Sequence, residues 1–236
     1  MNTNLRIKTG WLCLAAAGAI ACATVQAQPI SFDHLNAGAA GTSQNDPLVW
    51  ANGAAFVAES GYYYPMTYAS SGRFAGHFNS SPTLVALSAG TLPAGLPPAY
   101  GSFIQVQLTL LSAPTGGSLG FWLTGDMVPT YPLNVGQSTP LIDLSNPLTA
   151  GDPGEDPAGH IHGRRFTATL PGDYLVGLQL FDTSQNGVGG GPIHTPSEML
   201  HVNFRAVPEP VPLAFLGIAL GGTVLLQIHR KRARRL

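Results

Sequence analysis

The chain reads as an all-β protein, one antiparallel sandwich, on three observations. Apolar and polar residues alternate in short runs separated by Gly, Pro, Ser and Asn. The stretch Ile104, Val106, Leu108 and Leu110 places four aliphatic side chains on one face of a strand, with Gln105, Gln107 and Thr109 on the other. No segment between residues 28 and 206 sustains a 3.6-residue period.

In chain order, strands are expected near 30–35, 48–50, 55–59, 73–78, 83–88, 102–111, 118–123, 161–169, 174–182 and 198–204. Residues 127–156, rich in Pro and polar residues, are expected to be mostly loop. Leu170-Pro171-Gly172-Asp173 reads as a type II turn, Pro pre-setting φ and Gly supplying the positive φ. The flanking strands either pair as a hairpin or cross between sheets. Pro171-Gly172-Asp173-Tyr174 resembles the tyrosine corner of immunoglobulin-like domains, which implies an immunoglobulin-like sandwich.

The two ends of the chain have a different character. Arg6 and Lys8 precede an apolar run from Trp11 to Cys22, and Val25-Gln26-Ala27 is a small-x-small cleavage site, so residues 1–27 read as a signal peptide delivered through the Sec translocon. Both cysteines, Cys13 and Cys22, fall inside it, leaving the domain at 28–206 without a thiol. Residues 211–228 carry no charge and would cover about 27 Å as a helix, enough to span a membrane with the basic residues 229–236 held in the cytoplasm. Between residues 28 and 207 four arginines face eleven acids, a balance of -7, and Lys is absent. Such a body lacks the basic footprint nucleic-acid binding requires.

Three histidines suggest a site. His160 and His162, two apart, share a face if they lie on one strand, and by parity with Phe166 and Ala168 that face is the inner one. The connection from Thr183 to Ser197 is long for a compact domain and is expected to return His194 to the same end. Imidazole suits zinc, so His160, His162 and His194 form the expected ligand set, with His34 or His77 as a fourth ligand and Asp182 as an acceptor behind an imidazole N–H. Asp152, Glu155 and Asp156 form an acidic loop before the pair. No Gly-x-Ser-x-Gly elbow or His-Glu-x-x-His helix is present, and the chain is read as a non-enzyme.

Val207-Pro208-Glu209-Pro210, the apolar span and the arginine-rich end resemble the PEP-CTERM sorting signal (207–236). The resemblance implies recognition of Pro208, Glu209 and Pro210 by an exosortase, membrane anchoring before processing, and release to the cell envelope or outside the cell. His34 to Ala39, His160 to Tyr174, Asp182 to Gly187 and Gly191 to Glu198 are similar to PEP-CTERM proteins repressed by a zinc-uptake regulator. That likeness implies zinc capture or buffering, prefers His34 as fourth ligand, and suggests metal-uptake machinery or exopolysaccharide as partner. Two rival expectations are a structural or adhesive matrix protein without a metal site, and a carbohydrate-binding module stacking sugars on Trp50, Tyr62, Tyr63 and Tyr64.

Overall fold

The computed structural model describes residues 34–88, 96–161 and 164–208, all within one unit, Phe32–Leu236. Thirteen strands are present among them: β1 Leu35–Ala39, β2 Leu48–Trp50, β3 Tyr63–Tyr68, β4 Phe78–Ser80, β5 Leu84–Ala86, β6 Ile104–Ser112, β7 Leu119–Trp122, β8 Tyr131–Leu133, β9 Ile142–Asp143, β10 Gly159–Ile161, β11 Arg165–Ala168, β12 Gly172–Asp182 and β13 Leu200–Ala206. They form a four-stranded sheet, β10-β5-β1-β2, and a nine-stranded sheet, β8-β7-β11-β4-β3-β13-β12-β6-β9.

The all-β class stands, but the immunoglobulin-like antiparallel sandwich does not. β1 pairs with β5, and β3 with β13, in parallel. Both pairings join strands separated by long stretches of chain, which is what parallel neighbours require and hairpin reasoning misses. β11 and β12 neither form a hairpin nor lie side by side, since β4, β3 and β13 stand between them. The corner between them is nevertheless built: the Tyr174 hydroxyl donates to Leu170 O at 2.8 Å and accepts from Leu170 N–H at 3.1 Å, and Gly172 has φ +131°.

Alternation decides what is buried. Ile104, Val106, Leu108 and Leu110 of β6 are fully buried, as are Tyr174, Val176 and Leu180 of β12. Across the larger sheet Phe121 meets Phe166 edge-on at 5.1 Å, Phe166 stacks on Phe204 at 4.8 Å, and Tyr64 follows at 5.2 Å. This aromatic row joins β7, β11, β13 and β3 in one core. β3 escaped the sequence reading because Pro65 interrupts it. Pro65 stands in register with Arg205 of β13, and β4 pairs only with Thr67 and Tyr68, so β3 has a ladder on one side alone at the proline.

The expected strand at 55–59 is instead two 3-10 turns, Gly53–Ala55 and Ala58–Ser60. Among the described residues no helix is long and apolar enough to cross a membrane. Pro208 is the last of them, exposed beyond the end of β13, while Glu209, Pro210 and the expected span 211–228 lie outside. The membrane anchor, and with it the exosortase as a partner, therefore has no element in the described fold to rest on and is withdrawn, while the signal-like residues 1–27 on which the Sec translocon rests also lie outside the described residues.

Candidate functional site: a clamped loop end and a cleft at Trp50

β12 carries its inward face to its last residue, so Asp182 arrives at the strand end buried, 7% exposed. A carboxylate removed from water is tolerable only when donors surround it. Asp182 has four, all backbone amides: Phe103 and Ser184 donate to Oδ1 at 2.9 Å each, Ile193 to Oδ2 at 2.9 Å and His194 to Oδ2 at 3.1 Å. One side chain thus ties the start of β6 to both arms of the 183–197 connection.

His194 completes the clamp. It is 1% exposed, and both ring nitrogens are engaged. Ala99 N–H donates to Nε2 at 2.9 Å, so Nδ1 carries the proton and donates to Asp46 O at 2.9 Å. The ring is a neutral bridge between two other loops. More bonds lace the same end: Asn45 N–H to Ile193 O at 2.8 Å, Gln44 to Pro192 O and from Val188 N–H, and Asn186 to the carbonyls of Gly101 and Gly151. Gly187 must be Gly, because a Cβ there would sit 2.4 Å from Pro192 O.

This arrangement overturns the zinc reading. A histidine whose two nitrogens are spent on backbone partners has no lone pair left for a metal. His160 does not face inward: Ile161 is buried and His160 exposed, because the chain leaves the four-stranded sheet after β10 and enters the other at β11, so parity does not carry from Phe166 back to His160. His34 is exposed and meets His160 edge-on with ring centroids 6.1 Å apart, and His77 bonds Ala75 O through Nδ1 at 3.2 Å. His162 lies outside the described residues. Among the described residues no three His, Cys, Asp or Glu groups gather as metal ligands. Asp182 does accept from His194, though from its backbone rather than its ring. Zinc capture, and metal-uptake machinery as a partner, lose their basis.

The clamp positions something the sequence did not reveal. Thr195 O accepts from Leu48 N–H at 3.0 Å, and Pro47 bridges Thr195 in parallel. Past that point the two segments separate around a cleft of about 340 Å³. One wall is Pro47, Leu48, Val49, Trp50, Gly53 and Ala54, and the other is Pro196, Ser197, Glu198, Met199 and Leu200. Ser197 pins the second wall, its N–H donating to Leu180 O at 3.0 Å and its hydroxyl accepting from Leu180 N–H at 2.9 Å. Trp50 is fixed by its indole N–H, which donates to Leu178 O at 3.1 Å. Met199 leans over Gly177, where a Cβ would meet its sulfur at 2.4 Å.

The tyrosines do not extend this surface into a sugar platform. Tyr64 is buried between Phe56 and Phe204, and that burial, ahead of the neighbouring Tyr62, pushes its phenol pKa well up. Tyr62 packs edge-on to Phe56 and Tyr64, and the Arg205 guanidinium lies 4.2 Å from the Tyr63 ring centre. Strand alternation sends neighbouring tyrosines to opposite faces, so a run of three could not form one flat row. The length of the 183–197 connection was the signal for a functional loop; that it ends opposite Trp50, well over a hundred residues away, was not readable. No family model, curated protein or solved structure matches this chain.

Proposed function

We propose that the chain is an exported binding domain, not a catalyst, whose clamped loop end is the rigid frame of the Trp50 cleft. Its ligand is a small, mainly apolar molecule or group. The observation that carries this reading is the cleft itself, of a size ordinary for small-molecule sites, walled by Trp50, Leu200, Met199 and two prolines, with Glu198 as the one carboxylate at its margin. Methionine lends such a wall adaptability. Glu198 favours a ligand that offers a hydrogen-bond donor or a positive charge beside its apolar part. Asp182 and His194, the buried titratable pair nearby, have their lone pairs committed to holding the frame, which leaves neither available as a base. Export rests on the signal-like residues 1–27.

The test is a titration of the full chain with a neutral polarity-sensitive dye such as Nile red, beside an Ala54→Trp variant that fills the cleft. Saturable one-to-one binding that Ala54→Trp abolishes supports the reading. Absence of saturable binding, or the same binding in the filled variant, would overturn it. A cationic amphiphile should additionally lose affinity in Glu198→Gln, where a neutral one should not.

A further inference from the structure

The domain's scarce positive charge is not scattered. Three of the four arginines between residues 28 and 207 converge on one end of the β7, β11 and β4 ladder. The Arg73 guanidinium carbon lies 5.3 Å from the centre of the Phe74 ring and 5.6 Å from that of Trp122, and the Arg165 guanidinium carbon lies 5.6 Å from that of Phe74. Phe74 and Trp122 meet edge-on at 5.0 Å, so Phe74 lies against both cations and Trp122 against Arg73. Arg164, the residue before β11, donates to Thr124 Oγ1 at 3.3 Å, and Arg73 Nη2 donates to Leu123 O at 2.9 Å, so both are drawn to the β7–β8 turn, while Arg165 stands in register with Trp122 at the end of β7.

The ion pairs among the described residues are Arg205 with Asp173 and His201 with Glu59, and neither involves this cluster. Asp126, the acid of the same turn, is engaged by the Thr130 hydroxyl. Moreover, the Nε atoms of Arg73 and Arg164 are sealed from solvent without an acceptor. A buried cationic donor with no partner is costly, and a bound anion is one of the few explanations that remove the cost. The aromatic contacts lie against the guanidinium groups and leave the N–H donors not already spent within the fold to meet an oxyanion.

We infer that Arg73, Arg164 and Arg165 form a binding site for oxyanions, carboxylate or sulfate, carried either on an acidic polymer or as free ions. The site is separate from the Trp50 cleft and does not depend on what that cleft binds. In a body whose balance is -7, it is the place where an anionic ligand meets attraction rather than repulsion.

The experiment is retention of the full chain on immobilised polygalacturonate and on neutral dextran, at low and high salt, with calorimetric titration by sodium sulfate alongside. Retention on polygalacturonate alone, released by salt, identifies polymer-borne carboxylates; sulfate binding without retention identifies a free oxyanion; both support the site. Either signal should fall about tenfold in Arg165→Gln and further in Arg73→Lys, which keeps the charge and removes the fork. Arg205→Gln should leave it unchanged, and an unchanged circular-dichroism spectrum with a cooperative thermal transition in every variant serves as the evidence of folding. Absence of both signals, equal retention on dextran, or undiminished binding in folded Arg165→Gln would overturn the inference.

Discussion

At the His194 end of the molecule the ionisable groups have found partners within the fold, although the hydroxyls of Ser102 and Ser184 beside them are sealed without one; at the Arg73 end two guanidinium Nε atoms have no acceptor. Asp182 accepts four amides and His194 uses both ring nitrogens, whereas Arg73 and Arg164 each hold a sealed Nε–H without an acceptor. Both ends gather the residue types that suggest chemistry. The difference teaches that a cluster's identity says less than the state of its lone pairs and protons: ionisable groups whose partners all lie within the fold hold structure, whereas charged donors without one leave room for a ligand.

That contrast can be broken at the His194 end first, where the effects are largest. Asp182→Ala strands four amides, those of Ser184 and His194 buried and those of Phe103 and Ile193 partly so, and should lower stability by about 3–5 kcal/mol in urea unfolding, enough to endanger folding. His194→Phe keeps the ring's bulk but leaves Ala99 N–H and Asp46 O without partners, and about 2–4 kcal/mol should be lost. A small effect in both variants would show that the clamp is dispensable.

Tyr64 gives a pH test of the core beside these ends. Its phenol pKa is raised by burial, so its contribution is fully present below the ordinary value near 10 and is lost as pH rises above it, because the unfolded chain ionises first. Stability of the wild type should fall above pH 10 by about 1.4 kcal/mol per pH unit from this group, and Tyr64→Phe should flatten that slope. A parallel slope in the variant would assign the alkaline loss elsewhere.

Smaller changes sharpen the comparison. Asn45 has φ +70°, in the left-handed region, where it presents its N–H to Ile193 O. Asn45→Val should cost about 1–2 kcal/mol and Asn45→Gly almost nothing, measured by thermal unfolding. At the Arg73 end Arg165→Gln should alter stability by less than about 0.5 kcal/mol, so that a loss of oxyanion binding there is a loss of the site and not of the fold.

Much of the fold was legible where local period governs it. The faces of β6 and β12, the Tyr174 corner and the burial of Asp182 with its strand all follow from alternation and turn chemistry. The histidine cluster was misread for a physical reason. Parity was carried from Phe166 back to His160 across a change of sheet, and His194 was judged by its residue type rather than by which backbone groups would reach it.

Composition and pattern by themselves determined an all-β domain without thiols, acidic throughout its body, with a long connection after residue 182. These are properties of adjacent residues and of sums. Tertiary structure alone decided that β3 and β13 run parallel, that His194 is spent on Asp46 and Ala99, that Trp50 faces Met199 across a cleft, and that Arg73 and Arg165 share the Phe74 ring. Each of these joins segments distant in the chain, and a contact between distant segments is fixed by the register of the sheets they enter, which no local period encodes.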